Sequence, residues 1–163
     1  MQSAILRSAV PADHAGILRL NEAAVPNVNS IPLSALESLH ENCFSLTLGE
    51  VGGALAGFLL ALAPEVDYDS LNFRWFCERY DNFTYVDRVV VDSRYHRRGI
   101  GKALYADLEQ HCSGIDSLAC EVNLRPPNPG SVAFHHRIGF REVGRQNLDG
   151  GSRRVSLMFK DLS

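Results

Sequence analysis

The order of strand-like and helix-like segments predicts a mixed α/β fold built on one mostly antiparallel sheet. Three observations support this prediction: an early hairpin, a later alternation of β-branched strands with apolar-periodic helices, and a glycine-containing hairpin that ends the chain. Hairpins make antiparallel pairs, whereas a strand–helix–strand unit makes a parallel pair. We therefore expect six to seven strands, mostly antiparallel, with helices on both faces of the sheet.

The N-terminal part of the chain contributes three strands and two helices to this prediction. Pro11 suits the first position of a helix, and Ile17, Leu20 and Ala24 then share one side of it. The sequence Glu-Val-Gly-Gly at residues 50–53 indicates a tight turn between two strands. The predicted elements are a strand at residues 3–10, a helix from residue 11, a helix at 33–42, and strands at 44–48 and 54–62.

The C-terminal part alternates strands with helices before the last hairpin. Asn128 is a good N-cap, Pro129 suits the first turn of a helix, and Gly139 suits the position that ends one. The predicted elements are an aromatic-rich helix at residues 70–80, a strand at 83–91, a helix ending near 111, a strand at 118–122, a helix at 128–138, and strands at 140–147 and 153–159 around a turn at 148–151.

Length, charge and cysteine spacing limit the class of protein. The 163 residues suit one compact domain, residues 1–163, and a net charge of −3 argues against generic nucleic-acid binding. The start has no signal-peptide pattern, and the longest apolar stretch, residues 51–63, is too short to span a bilayer. The four cysteines and six histidines lack metal-ligand spacing. We expect a cytoplasmic protein with no membrane partner, no disulfide and no metal.

The segment at residues 89–104 is the most informative part of the sequence for predicting function. A β-branched strand ends there, a short loop with Gly99 and Gly101 follows, and an apolar-periodic helix begins. The start of a helix presents unpaired N–H groups and the positive end of the helix dipole, and glycines let a ligand approach the backbone closely. The segment therefore predicts a pyrophosphate cradle for a nucleotide-like anion. The cations of this loop are Arg97, Arg98 and Lys102.

Comparison with known phosphate-binding motifs restricts the class of nucleotide-like ligand that this loop could bind. A Walker loop needs four residues between its glycines and then Lys-Ser/Thr, and the dinucleotide fingerprint needs a third glycine where Leu104 stands. The segment instead resembles the acyl-CoA loop of the GNAT superfamily of N-acetyltransferases, written Gln/Arg-x-x-Gly-x-Gly/Ala after a strand. His96 occupies the Gln/Arg position, and we expect it to contact phosphate more weakly. A glycine-kinked turn with a solvated basic edge is the alternative.

A second motif extends this resemblance. Asn128, Ala133 and Gly139 fit the family pattern N-x-x-x-x-A-x-x-Y-x-x-x-G-F, with His135 in place of the Tyr. In that family the Asn lies against the CoA arm and the Tyr hydroxyl protonates the leaving sulfur, so His135 is implied as the acid. A half-buried structural role for His135 is the alternative. The residues expected on the buried side of this helix are Phe134 and Ile138. The residues implied to bind acetyl-CoA are Val89, Val90, Val91, His96, Arg97, Arg98, Gly99, Ile100, Gly101, Lys102, Asn128 and Ser131.

Two carboxylates are candidates for the base. An alkylammonium must lose a proton before its nitrogen can attack a thioester. Glu121 resembles a base of the peptide N-terminal branch of the family, although two extra residues separate it from Asn128; Asp87 is the other candidate. A solvated or salt-bridged structural role is the alternative for each carboxylate. A backbone N–H near Val89 or Val90 is expected to hold the oxyanion.

The aromatic-rich segment before the cofactor strand is expected to shape the acceptor pocket. Phe76 and Phe83 are expected to fill the core. Trp75, Tyr80 and Tyr85 each carry a polar N–H or O–H group on an aromatic ring, which suits the rim of a pocket. The carboxylate of Glu78 or Asp87 could bind a cationic amine there. The expected acceptor-binding residues are Trp75, Glu78, Tyr80 and Tyr85.

Together these expectations describe an acyl-CoA-dependent N-acetyltransferase acting on a small amine, an amino acid or a peptide N-terminus by direct attack in a ternary complex. The alternative is a non-catalytic acyl-CoA-binding sensor of the same fold, because His96 and His135 depart from the family pattern. A sensor has no need of Glu121 or Asp87 beside a thioester, so the placement of these two residues discriminates between the transferase and the sensor. The identity of the acceptor, the acyl-chain length and the oligomeric state do not follow from the sequence.

Overall fold

The computed structural model describes residues 3–162, which form seven strands and five α-helices with three short 3₁₀ turns. The strands are β1 (Ile5–Ser8), β2 (Ser45–Val51), β3 (Ala54–Leu62), β4 (Phe83–Val91), β5 (Ser117–Arg125), β6 (Arg141–Leu148) and β7 (Arg153–Asp161). The helices are α1 (His14–Ala24), α2 (Leu33–Asn42), α3 (Leu71–Cys77), α4 (Ile100–Gln110) and α5 (Pro129–Arg137). Among these described residues no helix combines the length and the apolar character needed to cross a membrane.

The seven strands form one sheet in the order β1-β2-β3-β4-β5-β7-β6. The pairs β1–β2, β2–β3, β5–β7 and β6–β7 are antiparallel, and β4–β5 is parallel. The strands of the parallel pair, β4 and β5, are joined through the helix α4, which is the kind of crossover that a parallel pair needs. The prediction of a mixed, mostly antiparallel sheet is confirmed.

Most element boundaries agree with the sequence prediction, and the early hairpin shows where they differ. Strand β2 continues to Val51, so the turn consists of Gly52 and Gly53 alone rather than residues 50–53. Both glycines have positive φ, 58° and 84°, which a two-residue hairpin turn requires and other residues rarely adopt. The helix predicted from Pro11 begins with a 3₁₀ turn, Pro11–Asp13, before α1.

The described residues divide into two compact units, and the first comprises the chain up to Leu62 together with Arg88–Ser113. Its core lies between α1, α2 and the first strands. Burial of each large side chain there contributes about 1.5–3 kcal/mol relative to exposure. The buried residues of this core are Ala9, Ile17, Leu20, Leu36, Leu46, Leu48, Phe58, Leu60 and Val90.

The second unit comprises Ala63–Asp87 and the chain from Gly114 onward. Phe76 on α3 and Phe83 on β4 are fully buried, as predicted, with ring centroids 6.2 Å apart. Trp75 packs against Gly144, where a β-carbon would lie 2.6 Å from the indole Cζ2. The register of β6 shifts between Glu142 and Gly144. A bulge in β6 therefore coincides with the place where the indole meets the bare backbone.

Candidate functional site

The predicted cradle adopts the backbone that an anion-binding loop needs. Arg97 and Gly99 have positive φ, 64° and 76°, and Gly99 is the N-cap of α4. Because no side chain caps this helix start in the described structure, the first N–H groups of α4 point out of the helix without a side-chain acceptor. A positive φ at Arg97, a residue that is not glycine, is the kind of strain that recurs at ligand clamps.

The space above the loop suits phosphate oxygens. A β-carbon built on Gly99 meets no heavy atom within 4 Å, so the backbone there borders open space. Arg97, Arg98 and Lys102 are all exposed around it. Backbone donors, a helix N-terminus and mobile cations together match the chemistry of a pyrophosphate group.

A pair of glycines seats the start of α4 close to the sheet. Gly49 on β2 and Gly57 on β3 are register partners, and a β-carbon on either would lie 3.3 Å from Ile100 Cγ2. A β-carbon on Gly57 would also lie 2.8 Å from the carbonyl oxygen of Val90. Ile100, the first residue of α4, is buried against this bare backbone. The glycine pair therefore sets how close to the sheet the loop at residues 97–102 lies; this loop is called the phosphate loop below, after its predicted ligand.

His96 has a partner that the sequence did not reveal. Its Nε2 lies 2.9 Å from the carbonyl oxygen of Val91, and because a carbonyl only accepts, Nε2 donates. The ring therefore ties the loop to the end of β4. This bond uses one of the two ring nitrogens, and a contact between His96 and phosphate stays a prediction. Val90 is buried, and Val89 and Val91 are half-buried along the same strand.

In the second unit, Glu121 lies beside a buried tyrosine. The Tyr85 hydroxyl donates to Glu121 Oε2 at 2.5 Å, and the Tyr85 side chain has no exposed surface. Burial, followed by the charges of Glu121 and Asp87, raises the pKa of Tyr85 well above its usual value. The expectation of Tyr85 at a pocket rim is therefore wrong as to its place: the residue lies in the interior, because its ring packs against Phe73 with centroids 5.2 Å apart.

Asp87 has a comparable partner. The Tyr68 hydroxyl donates to Asp87 Oδ1 at 2.6 Å. Tyr85 and Asp87 are two residues apart on β4, and Glu121 is two residues beyond Ala119, which is the register partner of Tyr85 on β5. Because strand side chains alternate, all three project from one face of the sheet. The structure thus brings both predicted base candidates to the same face of the sheet, where each accepts a hydrogen bond from a tyrosine hydroxyl.

His135 is the buried residue of α5, with 3% of its surface exposed. Phe134 and Ile138, expected on the buried side, are only half-buried. The prediction of the buried face of this helix was therefore wrong. The reason is that the imidazole ring lies between the rings of Phe134 and Phe140, at 5.2 and 5.3 Å, with its polar Nδ1 satisfied locally.

The hydrogen bond of His135 fixes its tautomer. Nδ1 lies 2.8 Å from the Ser131 carbonyl oxygen, so Nδ1 carries the proton. Burial lowers the pKa of His135, which favours the neutral ring. In that neutral ring Nε2 is an acceptor, and it can give up a proton only after the ring has gained a second one.

The start of α5 follows the prediction. The Asn128 side chain accepts a hydrogen bond from the Ser131 N–H at 3.4 Å, which is N-cap geometry. Gly139 has φ of +104° just beyond the helix, and the Phe140 N–H donates to the His135 carbonyl at 2.9 Å. This helix end has the glycine-terminated form expected from the sequence.

The other acceptor candidates lie on or just after α3. Trp75 is half-buried, with the Arg79 guanidinium 3.9 Å from its ring centroid. Tyr80 stacks on Phe159 with centroids 4.1 Å apart, and Glu78 is exposed. The roles of Trp75, Glu78 and Tyr80 in acceptor binding stay predictions.

Sequence reasoning missed several residues that shape these sites. Gly49 and Gly57 sit in β-prone segments, where the spacing of two glycines on paired strands was the available signal. Tyr68 lies in a loop and carries no local signal for its contact with Asp87. The phosphate loop belongs to the first compact unit, whereas Glu121 and His135 belong to the second.

Comparison with known proteins supports the same family. The model of the Acetyltransferase (GNAT) family matches residues 15–140. A spermine/spermidine N(1)-acetyltransferase of Bacillus subtilis is 28% identical over 102 residues, which span 60% of this chain and 60% of that protein. The chain thus covers less than two thirds of that relative's length.

Solved structures share the fold at low identity. Ard1 from Thermoplasma volcanium superposes with a TM-score of 0.79 at 18% identity, covering 98% of this chain and 97% of that one. The acetyltransferase-like yncA from Salmonella typhimurium, solved with its cofactor acetyl-CoA, superposes with a TM-score of 0.72 at 18% identity, covering 98% and 94%. With the loop geometry and a family model that spans most of the chain, these findings lead to one conclusion: this protein belongs to the GNAT family of acetyltransferases.

Proposed function

We propose that this protein transfers an acetyl group from acetyl-CoA to a cationic primary amine in a ternary complex. The observation that carries the proposal is the loop from Arg97 to Lys102, with its left-handed backbone, uncapped helix start and open space at Gly99. The loop would hold the pyrophosphate of CoA through backbone N–H groups and its three cations. The Asn128 end of α5 would lie against the CoA arm.

Glu121 is our candidate for the base. An acceptor amine is mostly ammonium at neutral pH, and a carboxylate both attracts that cation and takes its proton. Glu121 accepts a hydrogen bond from Tyr85, and Asp87 accepts one from Tyr68, so both carboxylates are oriented. This arrangement supports a transferase over the sensor, which needs neither carboxylate. Asp87 would then help to attract the cation.

The reaction balances without a covalent enzyme intermediate. Glu121 would take one proton from the ammonium, and the exposed nitrogen lone pair would form a bond to the thioester carbon. A backbone N–H near Val89 or Val90 would stabilise the oxyanion. The carbon–sulfur bond then breaks, the nitrogen loses its second proton, the thiolate gains one, and one proton in total is released to solvent.

His135 could act as the acid only when both nitrogens of its ring are protonated. Since the Nδ1 proton is donated to the Ser131 carbonyl, only the doubly protonated ring, the imidazolium with its single positive charge, could protonate the thiolate from Nε2. Burial opposes that form by lowering the pKa of the ring. If His135 is the acid, the rate at saturating substrates falls as pH rises through this lowered pKa, and His135→Asn abolishes that dependence.

The relative from Bacillus subtilis, by its name, acetylates spermine and spermidine. We propose polyamines as the first acceptors to test, because two oriented carboxylates suit an oligocation better than an amino acid, which carries its own carboxylate. Amino acids and peptide N-termini remain the other acceptor classes of the proposal.

The test measures thiol release from acetyl-CoA with spermidine, spermine, amino acids and short peptides as acceptors. We expect turnover with a polyamine, and a loss of roughly 100-fold or more in kcat for Glu121→Gln, the range typical of a missing base. Asp87→Asn is the matched variant and should chiefly raise the KM of the amine. Binding of acetyl-CoA without turnover on any acceptor would contradict the transferase and favour the sensor.

A further inference from the structure

The environment of the Tyr85 hydroxyl is unusual for a core tyrosine. The ring is fully buried in the second unit, with Phe73 and Phe76 of α3 at centroid distances of 5.2 and 6.1 Å. Its hydroxyl nonetheless ends on a carboxylate oxygen, Glu121 Oε2. The hydroxyl of a buried tyrosine needs a hydrogen-bond partner. A charged carboxylate is a costly partner to desolvate, so its presence here calls for a reason.

We propose that Tyr85 is a positioning residue for the reaction: its hydroxyl holds Oε2 of Glu121 and thereby fixes the carboxylate that takes the proton of the acceptor amine. The proposal rests on the function proposed above and deepens it. The register supports it, because Tyr85 pairs with Ala119 and Glu121 follows two residues later on the same face. A rigid aromatic stem held by α3 fixes the oxygen more firmly than a flexible side chain would.

The direction of this hydrogen bond follows from the protonation of the phenol. Burial raises the pKa of Tyr85 well above its usual value, so the phenol keeps its proton at any working pH. Tyr85 therefore donates and Glu121 accepts. A donated hydrogen bond stabilises the charged form of a carboxylate. Removing the hydroxyl should make Glu121 gain a proton at higher pH.

Groups on several elements can shift the titration of Glu121. Asp87 and Tyr68 act on Tyr85 through their charges, and α3 presents the apolar rings of Phe73 and Phe76. On β7 the register partner of Glu121 is Leu157, which carries no charge. The titratable residues of α5 are His135, His136 and Arg137.

Tyr68 provides a matched comparison. Its hydroxyl donates to Asp87 at 2.6 Å, so Tyr68→Phe removes a phenol from the second carboxylate, as Tyr85→Phe does from the first. Both substitutions delete one oxygen atom and keep the ring. Their difference therefore reports which carboxylate depends on its phenol for catalysis.

The experiment measures kcat, the KM of acetyl-CoA and the pH profile of kcat/KM for the wild type, Tyr85→Phe and Tyr68→Phe, with the best acceptor amine. For Tyr85→Phe we expect kcat to fall roughly tenfold, an unchanged KM for acetyl-CoA, and an acid limb moved up by about one pH unit. For Tyr68→Phe the acid limb should stay in place. An acid limb that stays in place in Tyr85→Phe, moves only in Tyr68→Phe, or moves equally in both would overturn the proposal.

Two further measurements keep the proposal testable. Glu121→Asp withdraws the carboxylate from the phenol without touching the core, and wild-type kcat in this variant would contradict the proposal. Titration of the Glu121 carboxyl by carbon-13 NMR, assigned with Glu121→Gln, needs no acceptor. If no amine is turned over, the proposed function fails, yet a higher titration midpoint in Tyr85→Phe than in the wild type would still support the Tyr85–Glu121 contact, and equal midpoints would refute it.

Discussion

Gly49 and Gly57 face each other across β2 and β3, and the side chain of Ile100 fills the space that their β-carbons would occupy. The start of α4, and with it the phosphate loop, lies close to the sheet for this reason. Two residues without side chains, distant from the loop in sequence, thus determine where the backbone N–H groups of the loop are placed.

Gly57→Ala should destabilise the protein and weaken acetyl-CoA binding. The new β-carbon would lie 2.8 Å from the Val90 carbonyl oxygen, which is backbone and cannot rotate away. We expect a loss of about 1–3 kcal/mol in the free energy of unfolding, typical of overpacking, measured by urea denaturation. Gly49→Ala is the control, because its tightest contact, 3.3 Å, is to the Ile100 side chain. Equal losses in both variants would refute this account.

Gly99→Ala should separate stability from ligand binding. Gly99 and Gly53 both have positive φ, 76° and 84°, and a β-carbon on either meets nothing within 4 Å. Each alanine substitution should therefore cost about 1–2 kcal/mol of backbone strain. Only Gly99→Ala should also raise the dissociation constant of acetyl-CoA, measured by calorimetry, because only this β-carbon would enter the phosphate space. A similar rise in Gly53→Ala would contradict the placement of the cradle.

Gly144→Ala should perturb the indole of Trp75. A β-carbon at this position would lie 2.6 Å from Trp75 Cζ2, so the indole has to move. Trp75 is the only tryptophan of the chain, so its fluorescence reports the movement directly. We expect a shifted emission maximum and a loss of about 1–3 kcal/mol in stability. Gly130→Ala, where a β-carbon meets nothing within 4 Å, should leave the emission unchanged.

His135 should make the protein less stable in mild acid. Burial lowers its pKa in the folded protein, whereas the unfolded chain has the ordinary value of about 6.5. As pH falls below about 6.5 the unfolded chain binds the proton first, so the stabilisation present above that pH is lost towards the lowered pKa. In His135→Asn the amide can still donate to Ser131, and this part of the pH dependence should disappear from urea titrations.

His136→Asn is the neighbouring control for that experiment. His136 is exposed on the same helix, and its charge is a smaller cause of the lowered pKa of His135 than burial is. Its replacement should therefore change the slope of stability against pH less than His135→Asn does. A slope that changes equally in both variants would show that burial of His135 is not the cause.

The sequence determined the local features of this protein. The β-prone run from Phe83 to Val91 predicted β4, and Asn128 and Gly139 predicted the two ends of α5, because capping and turn chemistry act within a few residues. The spacing of Gly99 and Gly101 after a strand likewise indicated the family, which the family model confirms, and a phosphate-binding role for the loop, which stays a prediction. Each of these signals depends on the backbone preferences of adjacent residues.

Only the tertiary structure decided which side chains meet. The hydrogen bonds of Glu121 with Tyr85 and of Asp87 with Tyr68 join residues 36 and 19 positions apart. The burial of His135 rather than Phe134 likewise depends on what α5 packs against, not on its own periodicity. Long-range contacts are set by strand register and by helix seating, and no short stretch of sequence carries that information.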